Sequence, residues 1–484
     1  MSQISELSPA IVWEQFDAIT KVPRPSKKEA KIIEWLVAFA EEHGIEYKRD
    51  AIGNVVMRKP ATAGYEKRPT VALQAHMDMV CEKNSDVEFD FENDPIQTYI
   101  DDEGWVRARG TTLGADCGIG MAAALALMLD ETVPHGPLEA LFTVDEETGL
   151  TGAFELGEGM LTGKYLINLD SEDEGELFIG CAGGIDTIAT FLATMEPAPK
   201  NYVFYRVDVS DLLGGHSGDD IDKGRVNSNK TVARLMWDGI ESCKLRLSYF
   251  SGGNLRNAIP REAYAIFGVP ARYKADFEER YRLFAADLEQ EFRFREPHFK
   301  ITLNEMPEVD RVLDEQTQNA LIYSLVGVPN GVIAMSFAMP GLVETSTNLA
   351  SVKFVDDETI VVTSSQRSSV ESAKTYVAQM VESVFSLAGA DVAHTDGYPG
   401  WNPNPESRLL EITVNAYKSL FATEPKVRAI HAGLECGLFL EKYPELEMVS
   451  FGPTLRGVHS PDERLEIATV PKFWDLLCEV LRCI

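Results

Sequence analysis

The chain has 484 residues, with 45 Lys+Arg against 76 Asp+Glu, for a formal charge of −31. At 45% hydrophobic it can bury a sizeable core, and a prior of about 150 residues per domain suggests roughly three domains, or two with one large. The acidity argues against nucleic acid or an anionic membrane as partner, because both attract Lys and Arg.

The opening MSQISELSPAIVWEQF has no basic segment followed by an apolar one, so no secretory signal is expected. No stretch approaches about 18 uninterrupted apolar residues, so no membrane span is expected. The seven cysteines are scattered, and the nearest pair, Cys478 and Cys483, lacks CxxC spacing. That pattern fits reduced thiols and a cytoplasmic location.

The first 180 residues read as alternating helix and strand. Ser8-Pro9 opens a helix with a cap and a proline at the first turn. Ser26 and Glu29 have capping-box spacing before a helix whose apolar face is Ile32, Ile33, Leu36, Val37 and Ala40, ending at Gly44. Residues 70–75 (TVALQA), 138–144 (LEALFTV) and 165–169 (YLINL) read as buried strands, 118–129 (GIGMAAALALML) as a buried helix, and 151–156 as a further helix. This alternation predicts an α/β fold with a parallel or mixed sheet covered on both faces.

The texture changes after Gly183-Gly184. Strands near 203–209, 244–249, 263–269 and 359–363, with helices near 229–240, 274–291 and 370–386, predict an α+β region. The turn-rich GYPGWNPNP (397–405) reads as a boundary, and the tail from Leu409 returns to α/β texture. One α/β domain built from residues 1–184 and 397–484 is therefore expected, interrupted by an insertion at 185–396.

His76 and Asp78 stand at the C-terminal end of the 70–75 strand, where i and i+2 share a face and where open α/β sheets bind ligands. A metal-bound histidine commonly gives its other ring N–H to a carboxylate, although the pair alone reads equally as a surface histidine near an aspartate. Asp116 precedes the 118–129 helix; Asp145, Glu146 and Glu147 follow the 138–144 strand; Asp170 follows the 165–169 strand. Carboxylates converging on one sheet edge repel one another unless cations neutralise them. Glu146 and Glu147 would face opposite ways on a regular strand. They can reach one site only where the chain turns, and Thr148-Gly149 supplies such a break; otherwise they are a solvated pair. GHSGD (215–219) fails the G-x-S-x-G pattern because position 219 is Asp, and neither HExxH nor a P-loop is present.

Taken together, AHMDMV (75–80), GTTLGADCGIG (110–120), FTVDEETG (142–149) and NLDSEDEGELFIGCAGG (168–184) resemble the metal motifs of the aminoacylase/carboxypeptidase-type di-zinc peptidases. GGHSGDDIDKGRVNS (214–228), GGNLRNAIPREA (252–263), SSQRSSVESA (364–373), AIHAGLECG (429–437) and FGPTLRGVHSPDER (451–464) narrow the resemblance to the bacterial aminoacyl-histidine dipeptidases, also called cytosol non-specific dipeptidases. The resemblance runs from near residue 8 to the C-terminus.

It implies a mixed-sheet catalytic domain with an inserted α+β lid that also serves dimerisation. It implies two Zn²⁺ per chain, replaceable by Co²⁺ or Mn²⁺: His76 and Asp170 on one, Glu147 and His459 on the other, Asp116 bridging. Asp78 would orient His76, and Glu146 would be the general base. His216 would help bind the reacting carbonyl, from its own or a partner subunit, with Asn257 and Arg367 holding the substrate. The implied reaction is hydrolysis of dipeptides with free N-termini, Xaa-His included, in the cytoplasm; a deacylase, a tripeptidase or a catalytically lapsed metal binder are the alternatives. His459 is selected by the resemblance alone. Two positions depart from the family pattern: Cys117 stands where Asn is more common, and Asp222 where His often follows.

Overall fold

The computed structural model describes residues 3–484. They form two compact units: residues 3–180 with Pro403–Ala429 and Glu435–Ile484, and Cys181–Asn402 with Ile430–Leu434.

The first unit is built on an eight-stranded mixed sheet. Its order is Glu46–Arg49, Val55–Lys59, Leu138–Thr143, Val71–His76, Tyr165–Asn168, Glu447–Ser450, Glu176–Cys181 and Lys426–Ile430. The centre is parallel: Val71–His76 pairs in parallel with both Leu138–Thr143 and Tyr165–Asn168, and Glu447–Ser450 with Tyr165–Asn168. Val71–His76, Leu138–Thr143 and Tyr165–Asn168 are buried at every position, as strands covered on both faces must be. This explains why they read as continuous apolar runs rather than alternating ones. The helix Ala115–Leu129 is buried along almost its whole length, and Trp13, Phe16, Phe142, Phe439 and Phe451 are the largest fully enclosed apolar side chains of this unit.

Two starts differ from expectation. The first long helix runs Ala10–Ile19 with Pro9 at its N-cap position and no side-chain cap. The Ser26–Glu29 capping box does not form: the next helix is Ala30–His43, its N-cap is Glu29, and no side chain caps it. Glu29 Oε1 instead accepts the Lys27 and Asp145 N–H at 2.8 and 3.0 Å, while the Ser26 hydroxyl is drawn away by a buried carboxylate.

The second unit carries a nine-stranded antiparallel sheet. Its path is Lys300–Met306, Tyr202–Ser210, Ala263–Pro270, Arg246–Gly252, Val343–Phe354, Thr359–Ser368, Gly183–Leu192 and Asp391–His394, with Gly331–Met335 pairing Val343–Phe354. Ser228–Cys243, Lys274–Phe292, Glu315–Gly327 and Glu371–Leu387 are its long helices. Its core includes an aromatic trio, Tyr205, Phe267 and Phe277, with ring centroids 5.2–5.9 Å apart. A two-residue ladder joins Gly215–His216 to Ala258–Ile259, which fixes the Gly-rich turn containing His216 against the segment containing Asn257.

Candidate metal centre and active site

The parallel strands of the first unit end together, and their ends carry the charged groups. His76 closes Val71–His76 and Asp170 lies two residues beyond Tyr165–Asn168. Beyond Leu138–Thr143 the chain turns at Asp145, whose backbone is left-handed (φ 50°, ψ 47°), into a single helical turn Glu146–Gly149. The break that sends both glutamates to one site is thus at Asp145, one residue before the pair rather than after it. Asp145 is suited to it: its carboxylate accepts the Thr148 and Thr151 hydroxyls, and its N–H goes to Glu29.

Asp116 and Cys117 precede the regular helix, with backbone angles of −82°, 115° and −96°, 34°. His459 sits between the short strands Leu455–Arg456 and Arg464–Glu466, on left-handed backbone (φ 60°).

These ends converge around Asp116. Its Oδ1 is 3.1 Å from His76 Nε2 and its Oδ2 is 3.3 Å from His459 Nε2. His76 Nε2 is also 3.3 Å from Asp170 Oδ1, and His459 Nε2 is 2.9 Å from Glu147 Oε2. One carboxylate therefore stands between two imidazoles, each with a further carboxylate of its own. His76 Nδ1 lies 3.4 Å from Asp78 Oδ1, whose two oxygens also accept the N–H groups of Glu146 and Glu147 at 3.0 and 3.3 Å.

Glu147 Oε1 is buried without a hydrogen-bond partner, and Asp170 Oδ1 is buried with no well-formed hydrogen bond, His76 Nε2 standing 3.3 Å away. Enclosed carboxylate oxygens left unpartnered are costly unless something positive meets them. The donor set of three carboxylates and two imidazoles suits Zn²⁺ or a similar divalent ion. His76 with Asp116 and Glu147, and His76 with Cys117 and Asp170, are groups whose ligand atoms lie within 4.8 Å of one another, so the residues fit metal. The titration behaviour agrees. Burial opposes a charged His76, yet Asp170 and Asp116 raise its pKa well above the usual histidine value. Hydrogen bonds to Asp116 and Glu147 push His459 up to about 11. Protons are drawn to where cations would sit. Burial pushes the Glu146 carboxyl well above the ordinary glutamate range.

Sequence reasoning missed the groups that hold this centre from behind. Glu463, 2% exposed, accepts the N–H groups of Leu113, Gly114, Ala115 and Asp116 at 2.7–3.3 Å. Arg24, also 2% exposed, donates to the carbonyls of Met77 and Asp78 at 3.1 and 2.7 Å and to that of Gly114. Ser26 donates to Asp78 Oδ2 at 2.8 Å. Glu435 Oε2 accepts Gln74 Nε2 and Thr143 Oγ1 at 2.6 and 2.9 Å, under the ends of two site strands, and burial pushes its carboxyl up to about 8. Only the sequence neighbourhood of Glu435 and Glu463, inside quoted motifs, offered a signal.

The second unit brings its own candidates together. His216 Nδ1 accepts the N–H groups of Gly218 and Asp219 at 3.3 and 3.2 Å. Asp219, beside His216 and within the field of Arg367, is held below the usual carboxylate range. Arg367 is 8% exposed; its Nη1 donates to Tyr398 Oη at 2.9 Å, and its Nε is buried without a partner. Cross-strand from it is Ser346, whose hydroxyl is 2.7 Å from His431 Nε2. Burial and the Arg367 charge hold His431 down at about 4. Tyr398 and His431 were not foreseen. Asn257 is exposed, and its carbonyl accepts the Ser217 N–H at 2.8 Å; Asp222 is exposed in a short 3-10 turn.

Residues 72–482 match the model of peptidase family M20/M25/M40. The chain belongs to that family. It is therefore a peptidase, a hydrolase acting on peptide bonds. It is 44% identical over 482 residues to the cytosol non-specific dipeptidase of Escherichia coli, covering 100% of this chain and 99% of that one. Its fold matches the crystal structure of an aminoacylhistidine dipeptidase from Vibrio alginolyticus with a TM-score of 0.95 at 44% identity, over 100% and 98% of the two chains. A Staphylococcus aureus tripeptidase shares the fold at a TM-score of 0.57 and 15% identity, over 98% of each chain.

Proposed function

We propose that this peptidase hydrolyses dipeptides with free N-termini, Xaa-His dipeptides among them, at a centre of two Zn²⁺ ions. The observation that carries the reading is Asp116, with one oxygen toward His76 and the other toward His459. The names of the Escherichia coli and Vibrio alginolyticus relatives support the substrate class.

In this reading His76 and Asp170 hold one ion, Glu147 and His459 the other, and Asp116 both; Co²⁺ or Mn²⁺ can substitute. The ions supply Lewis acidity that polarises the scissile carbonyl and lowers the pKa of the attacking water. Glu146 takes the proton released by that water and delivers it to the leaving amine. The burial that raises its carboxyl favours holding the proton between the two steps. Asp78 orients His76 and, through the Glu146 N–H, sets where the base stands.

Two backbone N–H groups and Asp219 Oδ2, at 3.3 Å, surround His216 Nδ1, so the Nε2 N–H is the one left for the substrate. That N–H is the donor assigned to the carbonyl oxygen as negative charge develops. Arg367 presents a planar fork suited to a terminal carboxylate, and Asn257 adds an exposed amide for the substrate backbone. The enzyme is placed in the cytoplasm, its inserted unit acting as lid and as the surface of a homodimer. Seven cysteines, none of them in a disulfide, fit that compartment.

Initial rates on a free dipeptide and on its N-acetyl form test the substrate class. The free dipeptide should be cleaved and the acetylated one spared. Preference for the acetylated form would make the protein a deacylase, and preference for a tripeptide over both would make it a tripeptidase.

A further inference from the structure

Cys117 is the residue of the metal centre that the family pattern does not explain. Its side chain is 1% exposed, and its Sγ lies within 4.8 Å of ligand atoms of both His76 and Asp170. The chain does not enter regular helix until after Cys117. Room for the sulfur is made by Gly120: a Cβ there would stand 2.6 Å from Cys117 Sγ and 2.6 Å from the Leu169 carbonyl oxygen. The thiol meets that carbonyl, one residue before Asp170, at a long 3.4 Å, and the Asp170 carboxylate is its other neighbour. Independently of the cysteine, Asp170 Oδ1 in the same group is enclosed on a side chain 10% exposed, with no well-formed hydrogen bond and His76 Nε2 at 3.3 Å. The group thus gathers a soft sulfur donor, an imidazole and an enclosed carboxylate oxygen within ligand reach of one another.

We propose that Cys117 is a ligand of the ion held by His76, Asp170 and the bridging Asp116, and that it biases this one site toward thiophilic ions. The proposal rests on the two-ion reading given above. Coordination through sulfur requires the thiolate, so the ion displaces the thiol proton to solvent as it binds. A thiolate discriminates among divalent ions more sharply than a carboxamide at this position could: Zn²⁺ and Co²⁺ accept sulfur readily, whereas Mn²⁺ prefers oxygen. The two sites of one centre would then differ in kind, sulfur-containing at His76 and without sulfur at His459. Exchange into the second should be the easier.

Cobalt reports the difference without reference to activity. Protein stripped by a chelator and titrated with Co²⁺ should develop visible d–d bands from bound cobalt, together with a near-ultraviolet sulfur-to-cobalt charge-transfer band. Cys117→Ser and Cys117→Asn should keep the visible bands and lose the near-ultraviolet one. Asn is common at this position in the family pattern, so that variant keeps the fold. Loss of an outer-sphere partner typically weakens metal binding about 10–100-fold, and loss of a ligand should cost zinc at least about tenfold in competition with a chromophoric chelator. Manganese affinity should not change. Visible bands without the charge-transfer band in the parent, or a charge-transfer band that survives both substitutions, would overturn the Cys117 assignment and leave the metal centre standing. Failure to bind cobalt at all would overturn both.

Discussion

Glu463 holds Asp116 by its backbone: Glu463 Oε1 accepts the Asp116 N–H at 3.3 Å, and the same carboxylate takes the three preceding N–H groups at 2.7–3.0 Å. The residue that stands between the two imidazoles is therefore placed by a side chain almost 350 positions later. Arg24 closes the arrangement from the other side through the carbonyls of Asp78 and Gly114.

Glu463→Ala should leave several enclosed N–H groups without acceptors, each costing about 1–3 kcal/mol. A destabilisation of more than about 3 kcal/mol is expected in urea unfolding of chelator-stripped protein, where metal binding cannot contribute. A loss below about 1 kcal/mol would mean that water or a neighbouring group replaces the carboxylate.

Ser26→Ala separates two uses of one hydroxyl. Its partner is Asp78 Oδ2, and the Ala30–His43 helix has no side-chain cap. Far-ultraviolet circular dichroism should be unchanged while kcat falls several-fold through a looser Asp78. A loss of helix signal with normal kcat would restore the capping role.

Glu146 and Glu147 should part company under substitution. Glu146→Gln should keep both metals and lose rate by about 10²–10⁴, the span of a general base. Glu147→Ala should instead lower metal content, because its carboxylate faces His459 at 2.9 Å. Metal analysis beside a steady-state assay distinguishes them, and a Glu146→Gln enzyme at the parent rate would remove the base from the mechanism.

His431 gives the second unit a pH signature. Its folded pKa is about 4 because burial and the nearby Arg367 disfavour the imidazolium, whereas an unfolded histidine titrates near about 6.5. Between those values the unfolded chain binds the extra proton. The contribution is therefore complete above about pH 6.5 and is lost as the pH falls toward 4, by about 2 kcal/mol from pH 7 to pH 5. His431→Gln should remove that part of the slope in unfolding measured at the two pH values. Parallel slopes in parent and variant would show that His431 is free to protonate in the fold.

Much of the scaffold was legible because parallel strands enclosed on both faces are written as apolar runs: 70–75, 138–144 and 165–169 fall almost where Val71–His76, Leu138–Thr143 and Tyr165–Asn168 form. Val343–Phe354 was not legible, since its buried stretch opens on four polar residues, Thr345, Ser346, Thr347 and Asn348, made acceptable by partners distant in sequence such as His431. The metal-facing carboxylates could be raised from their positions at strand ends. His459 could not, because a lone histidine in a loop between two-and-three-residue strands has no local pattern. Arg24, Glu435 and Glu463 were hidden for a further reason: buried charges look like surface charges until the groups they satisfy are known.

The measurement closest to the central claim is hydrolysis of an Xaa-His dipeptide by one preparation before chelation, after chelation, and after readdition of Zn²⁺, with metal content determined at each stage. About two ions per chain should be present in the active enzyme, held by Asp116 and the four side chains around it. Activity should vanish with them and return with Zn²⁺, Co²⁺ or Mn²⁺. Full dipeptidase activity in metal-free protein would contradict the account.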